Sequence, residues 1–121
     1  MTTASGHTEA IRASRVIGTV VYNMAGESIG TIEDIMLEKT SNGIMFAVIG
    51  FGGFLGIGEK YHAVPWSELD FDVERGGYVV PFTREQLEAA PAYSIEDLAR
   101  DDGMTARAAS YEYYRVEPYW S

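Results

Sequence analysis

From residue 15 onward the apolar positions fall into short runs rich in β-formers, each closed by a turn signal, as in an all-β barrel or sandwich. The first run, 15–23 (RVIGTVVYN), ends at MAGE, where Gly26 suits the positive φ of a hairpin turn. In the second run, 28–38 (SIGTIEDIMLE), Ile29 and Ile32 lie three apart but Ile35 and Leu37 two apart. Alternation breaks between the two pairs, and a bulge or strong bend near Glu33–Asp34 restores the register. Residues 39–43 (KTSNG) carry an Asn-Gly turn, and 44–51 (IMFAVIGF) is then apolar everywhere except at its glycine. A strand with one wet face alternates, so this one is expected to be covered on both faces. The cover is a partner subunit, the chain's own C-terminal segment, or both.

A glycine-rich loop (52–60, GGFLGIGEK) presents Phe54, Leu55 and Ile57 together. Short strands are expected at 61–65, 69–73 and 78–82, with turns at 66–68 and 75–77, giving six strands joined by short links. Closing so small a sheet into a barrel removes its exposed edges. After Phe82 the period becomes helical. Thr83 with Gln86 fits a capping box, Pro91 ends that helix, and Ser94 with Asp97 opens a second that runs to about Arg100. The last stretch, 111–120 (YEYYRVEPYW), holds four tyrosines and a tryptophan in ten residues. It is too aromatic to be left in water, and Pro118 argues against a regular strand.

Composition narrows the function. A chain of 121 residues has room for one core. No apolar run approaches the roughly 18 to 20 residues that span a bilayer. The small, polar start (residues 1–13) reads as a flexible leader without a secretory pattern, so a cytoplasmic location is the default expectation. With no cysteine there is no disulfide, thiolate chemistry or Cys-based metal site. The net charge of −9 divides as −5 over residues 1–83 and −4 over 84–121. Acidity spread in this way disfavours nucleic acid and anionic membrane surfaces as partners.

Candidate chemistry is sparse. His62 is the one histidine beyond the leader, and a pairing with Ser67 has no G-x-S-x-G elbow to support it. Neither a catalytic set nor a metal-ligand spacing emerges. In the glycine loop Gly53 and Gly58 have P-loop separation, but Glu59 stands where lysine is needed, and Leu55 replaces the third glycine of a dinucleotide fingerprint. No cofactor is expected. The paired carboxylates Glu33–Asp34, Asp70–Asp72 and Asp101–Asp102 read as solvated charge, and the aromatic tail lacks the basic groove of a base-stacking platform.

The segments RVIGTVVYNMAGESIGTIEDIMLE and NGIMFAVIGFGGFLGIGEKYHAVPW resemble the PRC-barrel domain, found in the reaction centre H subunit and in a ribosome maturation factor. Asn23 stands where many members carry Asp, and it makes the same side-chain turn bond. The resemblance implies a small six-stranded barrel over residues 14–83, after a leader of 1–13 and before a helical, aromatic extension of 84–121. It also implies a docking module without chemistry of its own. The expectation is therefore an all-β, non-enzymatic protein-interaction module, self-associating as a homodimer and holding an unidentified protein partner. Its expected interface comprises Phe51, Phe54, Leu55, Ile57, Tyr113, Tyr114, Tyr119 and Trp120. Alternatives are a small-ligand-binding barrel, or an accessory of photosynthetic electron transfer as in the H subunit.

Overall fold

The chain was analysed as a computed structural model that describes residues 10–51 and 60–120, with the backbone alone described at residue 51. A helical turn α1 (Ala13–Val16) leads into strands β1 (Val20–Tyr22), β2 (Ser28–Glu38), β3 (Gly43–Phe51), β4 (Tyr61–Val64), β5 (Asp70–Asp72) and β6 (Gly77–Val79). Helices α2 (Arg84–Ala89), α3 (Ile95–Ala99) and α4 (Met104–Tyr114) follow. The six strands form one sheet in the order β4-β3-β2-β1-β6-β5, antiparallel except for the parallel pair β1–β6.

Local chemistry explains most boundaries. Gly26 sits at φ +88° in the β1–β2 turn. There Asn23 Oδ1 accepts from the amides of Ala25 (3.0 Å) and Glu27 (2.9 Å), the turn bond expected of it. The ladder between β2 and β3 jumps from Ile32↔Ile49 to Asp34↔Val48, leaving Glu33 as the extra residue, so the bulge lies where the spacing of isoleucines placed it. Thr83 Oγ1 accepts from the Gln86 amide while Gln86 returns a bond to the Thr83 amide, and Ser94 Oγ accepts from Asp97. One expectation is corrected at the start. Residues 15–18 are not strand, because Val16 turns inward from α1 and Gly18, at φ +92°, redirects the chain before β1.

The sheet cannot be flat. Six strands side by side hold their edges about 24 Å apart. Yet Val64 of β4 and Asp70 of β5, the two edges, are joined by a link whose extended reach is roughly 20 Å, shortened further by the 3₁₀ turn Trp66–Glu68. The sheet therefore curls around one cluster fed by Val64, Ala47, Ile49, Ile29, Ile32, Val21 and Tyr78. The expected all-β barrel is observed more coarsely, as a curled, mixed six-stranded sheet with helices, and no ladder joins β4 to β5 among the described residues.

A second cluster lies on the outer face of β3: Phe46 and Val48 with Met45, Ala63 of β4, Leu98 of α3 and Ala106 of α4. The doubly apolar strand is thus covered by its own chain, and that pattern by itself requires no second subunit. Helix α4 packs along edge strand β4 and serves both clusters, with Ala106 in the outer one and Tyr114 in the inner one. The sequence reading missed this helix. Its buried positions, Ala106, Arg107, Ser110, Tyr111 and Tyr114, have helical spacing, but Arg and Ser among them hide the apolar stripe.

Candidate interaction site

The aromatic tail returns onto its own domain. Arg115 ends α4 in the left-handed region (φ +59°), and the Val116 amide closes the cap on the Tyr111 carbonyl at 2.9 Å. That reversal brings residues 119 and 120 back over the face of α4 carrying Arg107 and Tyr111, one turn apart. Tyr111 packs edge-on against Trp120 (4.8 Å between ring centroids) and Tyr119 (5.9 Å), and its hydroxyl donates to the Met45 carbonyl at 3.3 Å.

Arg107 is the centre of this seat. It is 6% exposed, and its guanidinium carbon lies 3.8 Å from the Trp120 ring centroid and 5.5 Å from that of Tyr119. Nη1 donates to the Tyr119 hydroxyl at 3.0 Å and stands 3.5 Å from Glu38 Oε1 at the end of β2. The Tyr119 hydroxyl donates onward to the same carboxylate oxygen at 2.9 Å, as does Ser41 Oγ at 3.0 Å. These hydroxyl bonds, Tyr119 first, hold the Glu38 carboxyl below its ordinary range, and the nearby Arg107 charge adds to them. Burial, reinforced by the neighbouring Tyr119, pushes the Tyr111 hydroxyl up to about 12. The Nε of Arg107 is buried with no hydrogen-bond partner among the described residues. An arginine desolvated this far is held by ring faces, one hydroxyl and a long ion pair, and it contributes little net stability.

Of the residues expected at an interface, Tyr119 and Trp120 form this seat and remain 44% and 38% exposed. Tyr113 is partly exposed, its hydroxyl donating to the Gln86 carbonyl at 2.6 Å. Tyr114 points the other way, into the core against Phe82 at 4.4 Å. Phe54, Leu55 and Ile57 lie outside the described residues, as does the side chain of Phe51. Sequence reasoning missed Arg107, Glu38 and Tyr111. A lone arginine four residues before a tyrosine gives no local sign of burial.

His62 lies on β4, 7% exposed, and its ring donates to the Pro91 carbonyl. Burial lowers its pKa, and the Pro91 bond opposes that shift. Ser67 is in the 3₁₀ turn and its hydroxyl lies 3.5 Å from Glu68. Asp72 organises the β5–β6 turn through the amides of Glu74 and Arg75, and Asp101 accepts from Thr105 at the start of α4. Glu33 lies across Gly50. Among the described residues no three His, Asp or Glu side chains are grouped as a metal site, and no helix is long and apolar enough to cross a membrane.

The curled, mainly-β sheet is consistent with a family match: the profile of the PRC-barrel domain covers residues 8–87. The chain belongs to the PRC-barrel domain family. A relative, an uncharacterised protein of Deinococcus radiodurans, is 26% identical over 109 residues, covering 85% of this chain and 39% of the relative. The chain therefore spans about two-fifths of that relative's length. Coverage of 85% exceeds the family segment 8–87 by more than the seven residues before it, so the likeness runs past residue 87.

Proposed function

We propose that this PRC-barrel protein is a non-enzymatic docking module that self-associates as a homodimer through its C-terminal aromatic seat and holds a further, unidentified protein. The protein works in the cytoplasm without a cofactor, and neither nucleic acid nor membrane is a partner. One observation carries the reading: Tyr119 and Trp120 are anchored on Arg107 yet keep 44% and 38% of their surface open. Aromatic rings beside a desolvated arginine are the residue types that dominate binding hot spots. The net charge of −9 speaks against phosphate-bearing partners.

Light scattering tests the self-association. The native chain is expected to run at twice its monomer mass at micromolar concentration, and Trp120→Ala is expected to shift it toward monomer by removing the ring on Arg107. A native chain that stays monomeric while folded overturns the homodimer. A Trp120→Ala chain that dimerises unchanged removes the seat from the interface.

A further inference from the structure

We propose that the free edge of β5 is a separate docking surface, built for an extended segment of another protein that carries lysine or arginine at alternate positions. It rests on the docking reading only in that the protein acts by binding, and it uses none of the C-terminal seat.

The two edges of the sheet differ. On β4 the outward main chain is occupied: Tyr61 and Tyr93 exchange amide–carbonyl bonds at 2.7 and 2.8 Å. On β5 one side pairs with β6, and no strand lies on the other among the described residues. The register identifies which groups face outward. The Val80 amide donates to the Tyr22 carbonyl at 2.9 Å, and Tyr22 is opposite Val79 in the parallel pair. The main-chain groups of Tyr78 and Val80 therefore point at β1, and those of Gly77 and Val79 at β5. Asp70–Val79 and Asp72–Gly77 are then the hydrogen-bonded pairs, while Phe71–Tyr78 is the non-bonded one, its rings close and edge-on at 5.2 Å. The N–H and C=O of Phe71 are thus directed away from the sheet.

This edge carries an apolar side and an acidic side. Phe71 and Val73, two apart, are 42% and 38% exposed. Asp70 and Asp72 occupy the opposite face, with Glu74 beyond them. Edge strands are commonly guarded by short length and by charge, and β5 has both, three residues with two aspartates, so its guard repels acidic strands and leaves cationic ones admissible. Asp72 shares its charge with Arg75 at 2.9 Å, whereas Asp70 has no ion-pair partner among the described residues.

Charge selects the occupant. Antiparallel pairing with a second copy, centred on Phe71, sets Asp70 against the second copy's Asp72 and the reverse, carboxylate opposite carboxylate. A strand with cations at alternate positions places one opposite Asp70 and another beside Asp72, whose carboxylate also holds Arg75 and the turn amides, and turns its apolar residues toward Phe71 and, in the adjoining turn, Val73. The overall charge of −9 draws such a segment in.

The test titrates the full ¹⁵N-labelled chain with the capped peptide Thr-Lys-Val-Lys-Val-Lys-Thr, its glutamate counterpart, and the lysine peptide N-methylated at one valine. Expected are a shift of the Phe71 amide and about tenfold slower exchange there with the lysine peptide, weakened by salt. The glutamate and N-methylated peptides should produce neither effect. Asp70→Lys should weaken binding about tenfold with an unchanged unfolding midpoint. Equal effects from lysine and glutamate peptides, no effect from either, or Phe71 protection that rises with protein concentration alone would each overturn the proposal. So would peptide binding that moves Trp120 and leaves Phe71 untouched. A chain that is monomeric by light scattering but binds the peptide at β5 sinks self-association and leaves this surface standing. A dimer with a silent β5 does the reverse.

Discussion

Leu98→Ala asks whether the C-terminal extension is structural or an appendage. Leu98 is 2% exposed, and it reaches from α3 into the cluster formed by Phe46, Val48 and Ala63. The substitution removes three carbons, about 2.4 kcal/mol of transfer free energy, and the cavity left among Phe46 and its neighbours adds to this. A loss of about 3 kcal/mol follows. For a chain of 121 residues that corresponds to a fall of about 12 °C in Tm. Urea unfolding should show a lower midpoint with an unchanged slope, since the same surface is exposed on unfolding. Ile95→Ala is the control: on the same helix but 49% exposed, it should stay within about 0.5 kcal/mol of native. A Leu98→Ala midpoint indistinguishable from native would refute the reasoning, because it would mean that α3 does not cover β3.

Two further outcomes are expected. Gly77→Ala should destabilise by about 2 kcal/mol, because a Cβ there would lie 2.4 Å from the Val20 carbonyl oxygen and 2.9 Å from the Tyr22 ring, and a parallel strand cannot yield that much. Differential scanning calorimetry that finds no drop in Tm would show that β1 and β6 are less closely packed than described. Burial depresses the His62 pKa, so below the ordinary histidine value of about 6.5 the unfolded chain binds the proton more readily. Stability should be full above that pH and decline as pH falls through it. His62→Gln should flatten this part of the pH profile in urea titrations, and a slope that persists in the variant would place its origin elsewhere.

Much of the fold was legible because it is local. The Asn23–Gly26 turn, the Glu33 bulge, the Thr83–Gln86 box and the Ser94 cap each depend on side chains within a few residues of the backbone groups they satisfy. The double burial of β3 was equally readable, since an unbroken apolar run leaves no face for water. The seat was legible only in part. The aromatic density of the tail required that it dock, but its contact with Glu38 spans 81 positions of chain.

The sequence by itself determined the Asn23–Gly26 turn, the β2 bulge and the Thr83 and Ser94 caps, that both faces of β3 must be dry, and that the chain carries a net charge of −9. Tertiary structure alone decided what covers β3, that β1 and β6 run parallel, that Arg107 is buried while Tyr119 and Trp120 stay half open, and that β4 and β5 end the strand order among the described residues. The physical reason is range. Turn and cap energies are set by neighbours along the chain, whereas strand partners and the desolvation of a charge depend on which distant surfaces meet.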